Sequence, residues 1–164
     1  YPLRRQRQMC IRDRNTASES IRVYSMLLNA DKLETSDVAI IDEAYCPKGH
    51  SLISDEVTFC DFKAIHVKIR DKKYLTDLFI SPLVGDKSKL SLDKRLDKKL
   101  IFEFLCPECK CRLPVASPCS CGGELMALYL DSSLKLSKSV TVCNRFGCPH
   151  SEVKGIEKLK SMQL

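Results

Sequence analysis

The sequence predicts a mainly β protein, built of small antiparallel sheets with cysteine-bearing turns at their ends and little helix. Three observations predict it. Ile65, Val67 and Ile69 alternate with His66, Lys68 and Arg70, the period-two pattern of a half-buried strand. Residues 38–41, 100–105, 124–130 and 139–142 are further short apolar runs, and each lies next to a cysteine-bearing stretch. The cysteines themselves come in close pairs, so that chelating turns at strand ends take the place of core that a small β domain cannot otherwise assemble.

A chain of 164 residues suits one domain, or one with a small subdomain. Its 44% hydrophobic and 29% charged content is a globular profile and excludes a disordered chain. No apolar run approaches the roughly 18 residues of a membrane span, so no membrane partner is expected. No signal-peptide pattern is visible. With cysteines at ligand spacing, a reducing cytoplasm is the expected compartment.

Residues 1–14, YPLRRQRQMCIRDR, resemble the translation of a transposon-end sequencing adapter; a basic arm for nucleic acid is the alternative reading. The stretch carries +4 of the net +6, leaving +2 on the rest. The basic balance is therefore poor evidence for a nucleic-acid partner, and Cys10 leaves the ligand count. Residues 15–44 are expected to pack as an N-terminal segment on a metal-binding β domain at 45–155, followed by a tail at 156–164.

Residues 21–30, IRVYSMLLNA, are apolar enough to be buried, but their period is ambiguous: Ile21, Val23 and Leu27 fit a strand face in part, and Ile21, Tyr24 and Leu28 fit a helix. Residues 38–41 read as a strand leading to Cys46. Asp71, Lys72 and Lys73 read as a turn, with residues 74–81 as the returning strand of a hairpin. Pro82, Gly85 and Asp86 break that pattern. Residues 86–99 are a lysine-rich connection with interspersed aspartates, read as a solvated turn in which Ser91 caps a short helix. Met126, Leu128 and Leu130 define one face of the strand after the cluster. The tail from Ser151 is charged and is expected to end in a helical turn.

Residues 106–123, CPECKCRLPVASPCSCGG, hold five of the ten cysteines. Cys106 and Cys109, then Cys119 and Cys121, form two tight pairs that aim four sulfurs at one point, a tetrahedral thiolate site. Pro107 stiffens the first turn, while Gly122 and Gly123 relax the second. Cys111 is a substitute for Cys119. A second site is expected from the chain ends. Cys46 and His50 in CPKGH echo the first pair, and Cys143 and Cys148 in CNRFGCPH complete the set. Gly147 permits the tight turn there, and His150 is a substitute for His50 or Cys148. The two sites are expected to be nested, the outer closing around the inner. Cys60 and His66 have no partner at ligand spacing, and are read as a core or edge residue and a solvated histidine.

The 106–123 stretch resembles the zinc ribbons and rubredoxin-type knuckles, whose usual form is Cys-Pro-x-Cys-Gly. It departs from them in Lys110, where the glycine would stand, and in a Cys-x-Cys second pair. The resemblance implies structural zinc, two ions in all, with iron in the four-cysteine site as the alternative. No P-loop, GxGxxG, GxSxG or HExxH pattern is present. The reading is a non-catalytic zinc-binding module for an unidentified protein or nucleic-acid partner. A rubredoxin-like electron carrier comes second. A zinc-dependent enzyme comes third, because no general base stands by spacing beside either site.

Overall fold

A computed structural model of the chain describes residues 38–155, apart from 73, 94 and 95, together with 160–162. The adapter-like stretch and the apolar run at 21–30 lie outside the described residues. Eleven strands follow in order among them: β1 (Val38–Ile40), β2 (Ile53–Phe59), β3 (Phe62–Arg70), β4 (Leu75–Ile80), β5 (Lys89–Ser91), β6 (Glu103–Leu105), β7 (Val115–Pro118), β8 (Glu124–Tyr129), β9 (Ser139–Cys143), β10 (Ser151–Val153) and β11 (Lys160–Met162). Within the described residues the fold is mainly β, with a single 3-10 turn at Leu136–Lys138.

Two antiparallel sheets carry the structure. One has the order β10-β9-β8-β7; the other runs β2-β3-β4-β5, with β6 pairing β3. The long strand β3 organises the second sheet. Its first half pairs β2, its second half pairs β6, and β4 runs along its other edge. β1 and β11 form a separate two-stranded ribbon.

The alternation read in β3 is real. Ile65, Val67 and Ile69 are fully buried, and they share one apolar cluster with Leu78 and Ile80 of β4 and with Met126, Leu128, Val140 and Val142 of the other sheet. Facing sides of the two sheets thus make the core, and burying each such side chain contributes about 1.5–3 kcal/mol. Cys46 and Cys106 lie within that same cluster. The strand after the second cysteine pair departs from the one-face expectation. Leu125 to Tyr129 of β8 are all buried, with Leu125 packing on Cys119 and Cys143 on the side away from the core.

Several expectations are corrected. Residues 89–91 are a strand, not a capped helix; the Ser91 hydroxyl accepts from the Asp93 amide at 3.2 Å and closes a turn after β5. The stretch from Ser151 is strand β10, paired with β9 in place of the expected tail, and residues 160–162 are strand as well. An edge supplies these segments with ladder partners that a charged sequence does not advertise. His66 is no solvated histidine. Its Nε2 lies 2.7 Å from Asp77 Oδ1, and its ring stacks on Phe79 at 4.7 Å. Lys68 Nζ donates to the same Asp77 oxygen at 2.7 Å. Burial pushes the Asp77 carboxyl up, but these two donors more than offset it and hold it below its usual range.

Cys60 is neither core nor edge but a hairpin turn. Phe59 pairs with Phe62, leaving Cys60 and Asp61 as a two-residue loop with φ of 49° and 66°. Positive φ at both central positions is the type I′ pattern, which Asn-Gly suits best and which costs other residues about 1 kcal/mol each. The double change Cys60→Asn with Asp61→Gly is expected to stabilise the fold by about 1 kcal/mol, read as a raised urea midpoint at unchanged m.

Candidate metal centres

The four turns that carry the expected ligands are the tips of hairpins. Tyr45 bridges Ser51 and Leu105 bridges Arg112. Pro118 pairs with Glu124, and Val142 with Ser151. Within each tip the first cysteine donates its amide back across the turn: Cys46 to the His50 carbonyl at 3.0 Å, Cys106 to Cys111 at 2.9 Å, Cys119 to Gly123 at 2.8 Å and Cys143 to His150 at 3.0 Å. Amides also point at sulfur, from Lys48 to Cys46 at 3.3 Å, from Gly123 to Cys121 at 3.4 Å and from Arg145 to Cys143 at 3.4 Å. Such donors favour the thiolate form.

The tips meet in two groups. Cys46, His50, Cys106 and Cys109 form centre one; Cys119, Cys121, Cys143 and Cys148 form centre two, and in each the donor atoms lie within 4.8 Å of one another. The eight expected residues are therefore brought together, but in a different partition. The pairs at 106/109 and 119/121 do not share a site, and neither site is nested in the other. The reason is β7. Val115–Pro118 of the stretch between the two pairs are strand, and an extended stretch of the length of residues 112–118 spans roughly 20 Å. It carries the chain from one centre to the other.

Centre two follows from strand register. β8 and β9 are antiparallel with Leu125 opposite Cys143, so the turn entering β8 and the turn leaving β9 lie at the same end of the sheet. Centre one adjoins the other end of β8, where Tyr45 bridges Tyr129. The dimensions suit a metal. Cys46 and Cys109 sulfurs are 3.9 Å apart and those of Cys119 and Cys148 are 3.8 Å apart. A thiolate tetrahedron with a metal–sulfur distance of about 2.3 Å has an edge of about 3.8 Å. Gly123 belongs to this fit, because a Cβ there would stand 2.8 Å from Asn144 Oδ1 and 3.1 Å from Cys143 Sγ. Lys110 occupies the glycine position of the knuckle pattern and takes the left-handed conformation a glycine would, φ 58°.

Each centre has a fifth donor beside it. Cys111 Sγ is 3.2 Å from Cys109 Sγ, and His150 Nδ1 is 3.4 Å from Cys119 Sγ. Cys111 thus belongs beside centre one and is no substitute for Cys119, while His150 stands by centre two. Cys60 and His66 join neither group.

One positioning residue escaped the sequence. Lys89 of β5 donates to the carbonyls of Cys143 at 2.7 Å, Cys148 at 2.9 Å and Arg145 at 3.3 Å. An ammonium has three N–H donors, and here all three fall on the Cys143 tip. The bond ties the five-stranded sheet to centre two and places a cation near its sulfurs. Burial pushes Lys89 down, partly opposed by the negative charge of Cys143, Cys148, Cys121 and Cys119. Its place in a lysine-rich stretch hid it, since only the pairing of β5 with β4 turns this lysine inward.

The thiols are graded. The Cys111 amide holds Cys109 down at about 6, and the Gly123 amide does the same for Cys121. Burial pushes Cys106 up to about 11 and Cys111 to about 12, and raises Cys143 as well. Each group therefore offers a ready thiolate with buried thiols behind it.

Two outcomes are expected. Metal uptake at neutral pH takes protons from the raised thiols, so affinity rises with pH; below about 6, Cys109 and Cys121 are protonated too and affinity falls more steeply. Competition titrations against a chromophoric chelator at several pH values check this. Lys89→Met is expected to weaken metal binding at centre two by roughly 10- to 100-fold and to leave centre one unchanged, the usual range for an outer-shell partner. No protein-family model matches the chain, and no curated protein or solved structure matches it either.

Proposed function

We propose that the chain is a non-catalytic zinc-binding module, with two structural ions that clamp pairs of hairpin tips and hold sheet faces and loops ready for a protein or nucleic-acid partner. The observation that carries this reading is that each centre joins two tips far apart in sequence, Cys46 with Cys106 and Cys121 with Cys143, around four donors. Four protein ligands fill a tetrahedral ion and leave no position for water, which favours structure over catalysis. Zinc suits mixed thiolate and imidazole donors as well as four thiolates. A protein partner is favoured over nucleic acid, because the chain without its first 14 residues is near neutral.

Centre two, with four sulfurs alone, is also a donor set for iron. Iron would colour the purified protein red, whereas zinc leaves it colourless. Elemental analysis of the protein lacking residues 1–14 is expected to return about two zinc per chain. Cys106→Ser is expected to remove one and Cys143→Ser the other, each with a lowered melting temperature. Zero metal in protein with native far-UV and near-UV dichroism would overturn the reading. Pull-down from lysate alongside RNA and DNA titrations at stated salt then separates the two partner classes.

A further inference from the structure

Centre one presents more donors than one tetrahedral ion can use, and their arrangement is not random. His50 Nδ1 lies 3.4 Å from Cys46 Sγ, and Cys111 Sγ lies 3.2 Å from Cys109 Sγ. Cys46 and Cys109 are themselves 3.9 Å apart. An imidazole and a thiol thus stand at the two ends of the same sulfur edge, His50 inside the group of donors within 4.8 Å of one another and Cys111 just outside it. His50 is held by its turn, by side-chain contacts to the Cys46 and Cys109 sulfurs, and by an exposed carboxylate, Glu108 Oε1 at 3.5 Å from Nε2. Cys111 is fixed by the backbone pairing that closes the tip, its carbonyl accepting from the Cys106 amide at 2.9 Å. Both donors are partly exposed, His50 on its turn and Cys111 at the margin of the main apolar cluster.

We propose that centre one is an exchange centre, in which Cys46, Cys106 and Cys109 are constant ligands and the fourth position passes between His50 and Cys111. This rests on the reading that centre one holds a metal ion. The exchange balances within the chain. The bond to the imidazole nitrogen breaks as the bond to sulfur forms, and the Cys111 thiol proton moves to the released His50 ring, where Glu108 can pair with it. No oxidant or co-reactant is needed. A centre that always has a spare donor can let one ligand go without exposing a bare coordination site. That is the property required of an ion passed to or taken from an incoming thiolate ligand, by stepwise displacement. Centre two also has a spare donor, His150 Nδ1 at 3.4 Å from Cys119 Sγ, but its Cys143 tip is held by Lys89 through three carbonyls, and it is the less exchangeable of the two.

Cobalt-loaded full-length protein tests this, since cobalt reports both metal count and the number of bound sulfurs. His50→Ala and Cys111→Ser are each expected to keep two metal equivalents, while the double variant drops to one. The charge-transfer intensity of centre one is expected to be higher in His50→Ala than in Cys111→Ser by about one third, four sulfurs against three. Centre two, retained throughout, serves as the folding control. Loss of an equivalent in either single variant would make that donor indispensable and overturn the exchange, as would two equivalents kept by the double variant. If the unsubstituted chain holds one equivalent, and Cys46→Ser does not change it, centre one itself fails and the exchange with it.

Discussion

The antiparallel register of β8 against β9 is the constraint on which the rest depends. With Leu125 opposite Cys143, the hairpin tip entering β8 and the tip leaving β9 are forced to one end of the sheet, and four sulfurs meet there. The same pairing sets Met126 opposite Val142 and Leu128 opposite Val140, which lines up the core face. A slip of one residue would turn the core side chains outward and part the two cysteine pairs at once. Fold and site are therefore specified by one set of backbone hydrogen bonds.

Centre one depends on the other sheet. Cys106 leaves β6, which pairs with the second half of β3, while the Cys46 tip runs directly into β2, which pairs with the first half. Both cysteines are buried in the main apolar cluster. Among the described residues the two halves of the chain are joined across the core, through Lys89 to the Cys143 tip, at Tyr45 against Tyr129, and along residues 98–102 against 144–147, where Ile101 bridges Arg145 and the Phe102 amide donates to the Asn144 carbonyl. Metal at either centre would bind only the arrangement in which these contacts exist, so affinity there is also stability.

The departures from expectation share a physical origin. Residues with polar sequences became strand where a neighbouring edge offered ladder partners, as in β5 and β10. His66 looked solvated by periodicity, yet its strand neighbour Asp77 and the ring of Phe79 enclose it. Lys110 and Cys60 adopt left-handed backbone that their side chains do not favour. The tip geometry imposes it, through the Lys110 amide bonded to the Cys106 carbonyl at 3.0 Å and the Phe59–Phe62 pair.

The sequence by itself determined the β class, the alternation of β3, the strands at β1, β4, β6, β8 and β9, and the eight residues that gather in the two centres. These are local properties: period-two burial, and tight turns carrying sulfur at fixed spacing. Only the tertiary structure decided which turns meet. Nearness in sequence suggested Cys106 and Cys109 with Cys119 and Cys121, but β7 is extended and carries those pairs apart. Partners are chosen by which hairpin tips share an end of a sheet, and that follows from strand register, a long-range property that cysteine spacing does not encode.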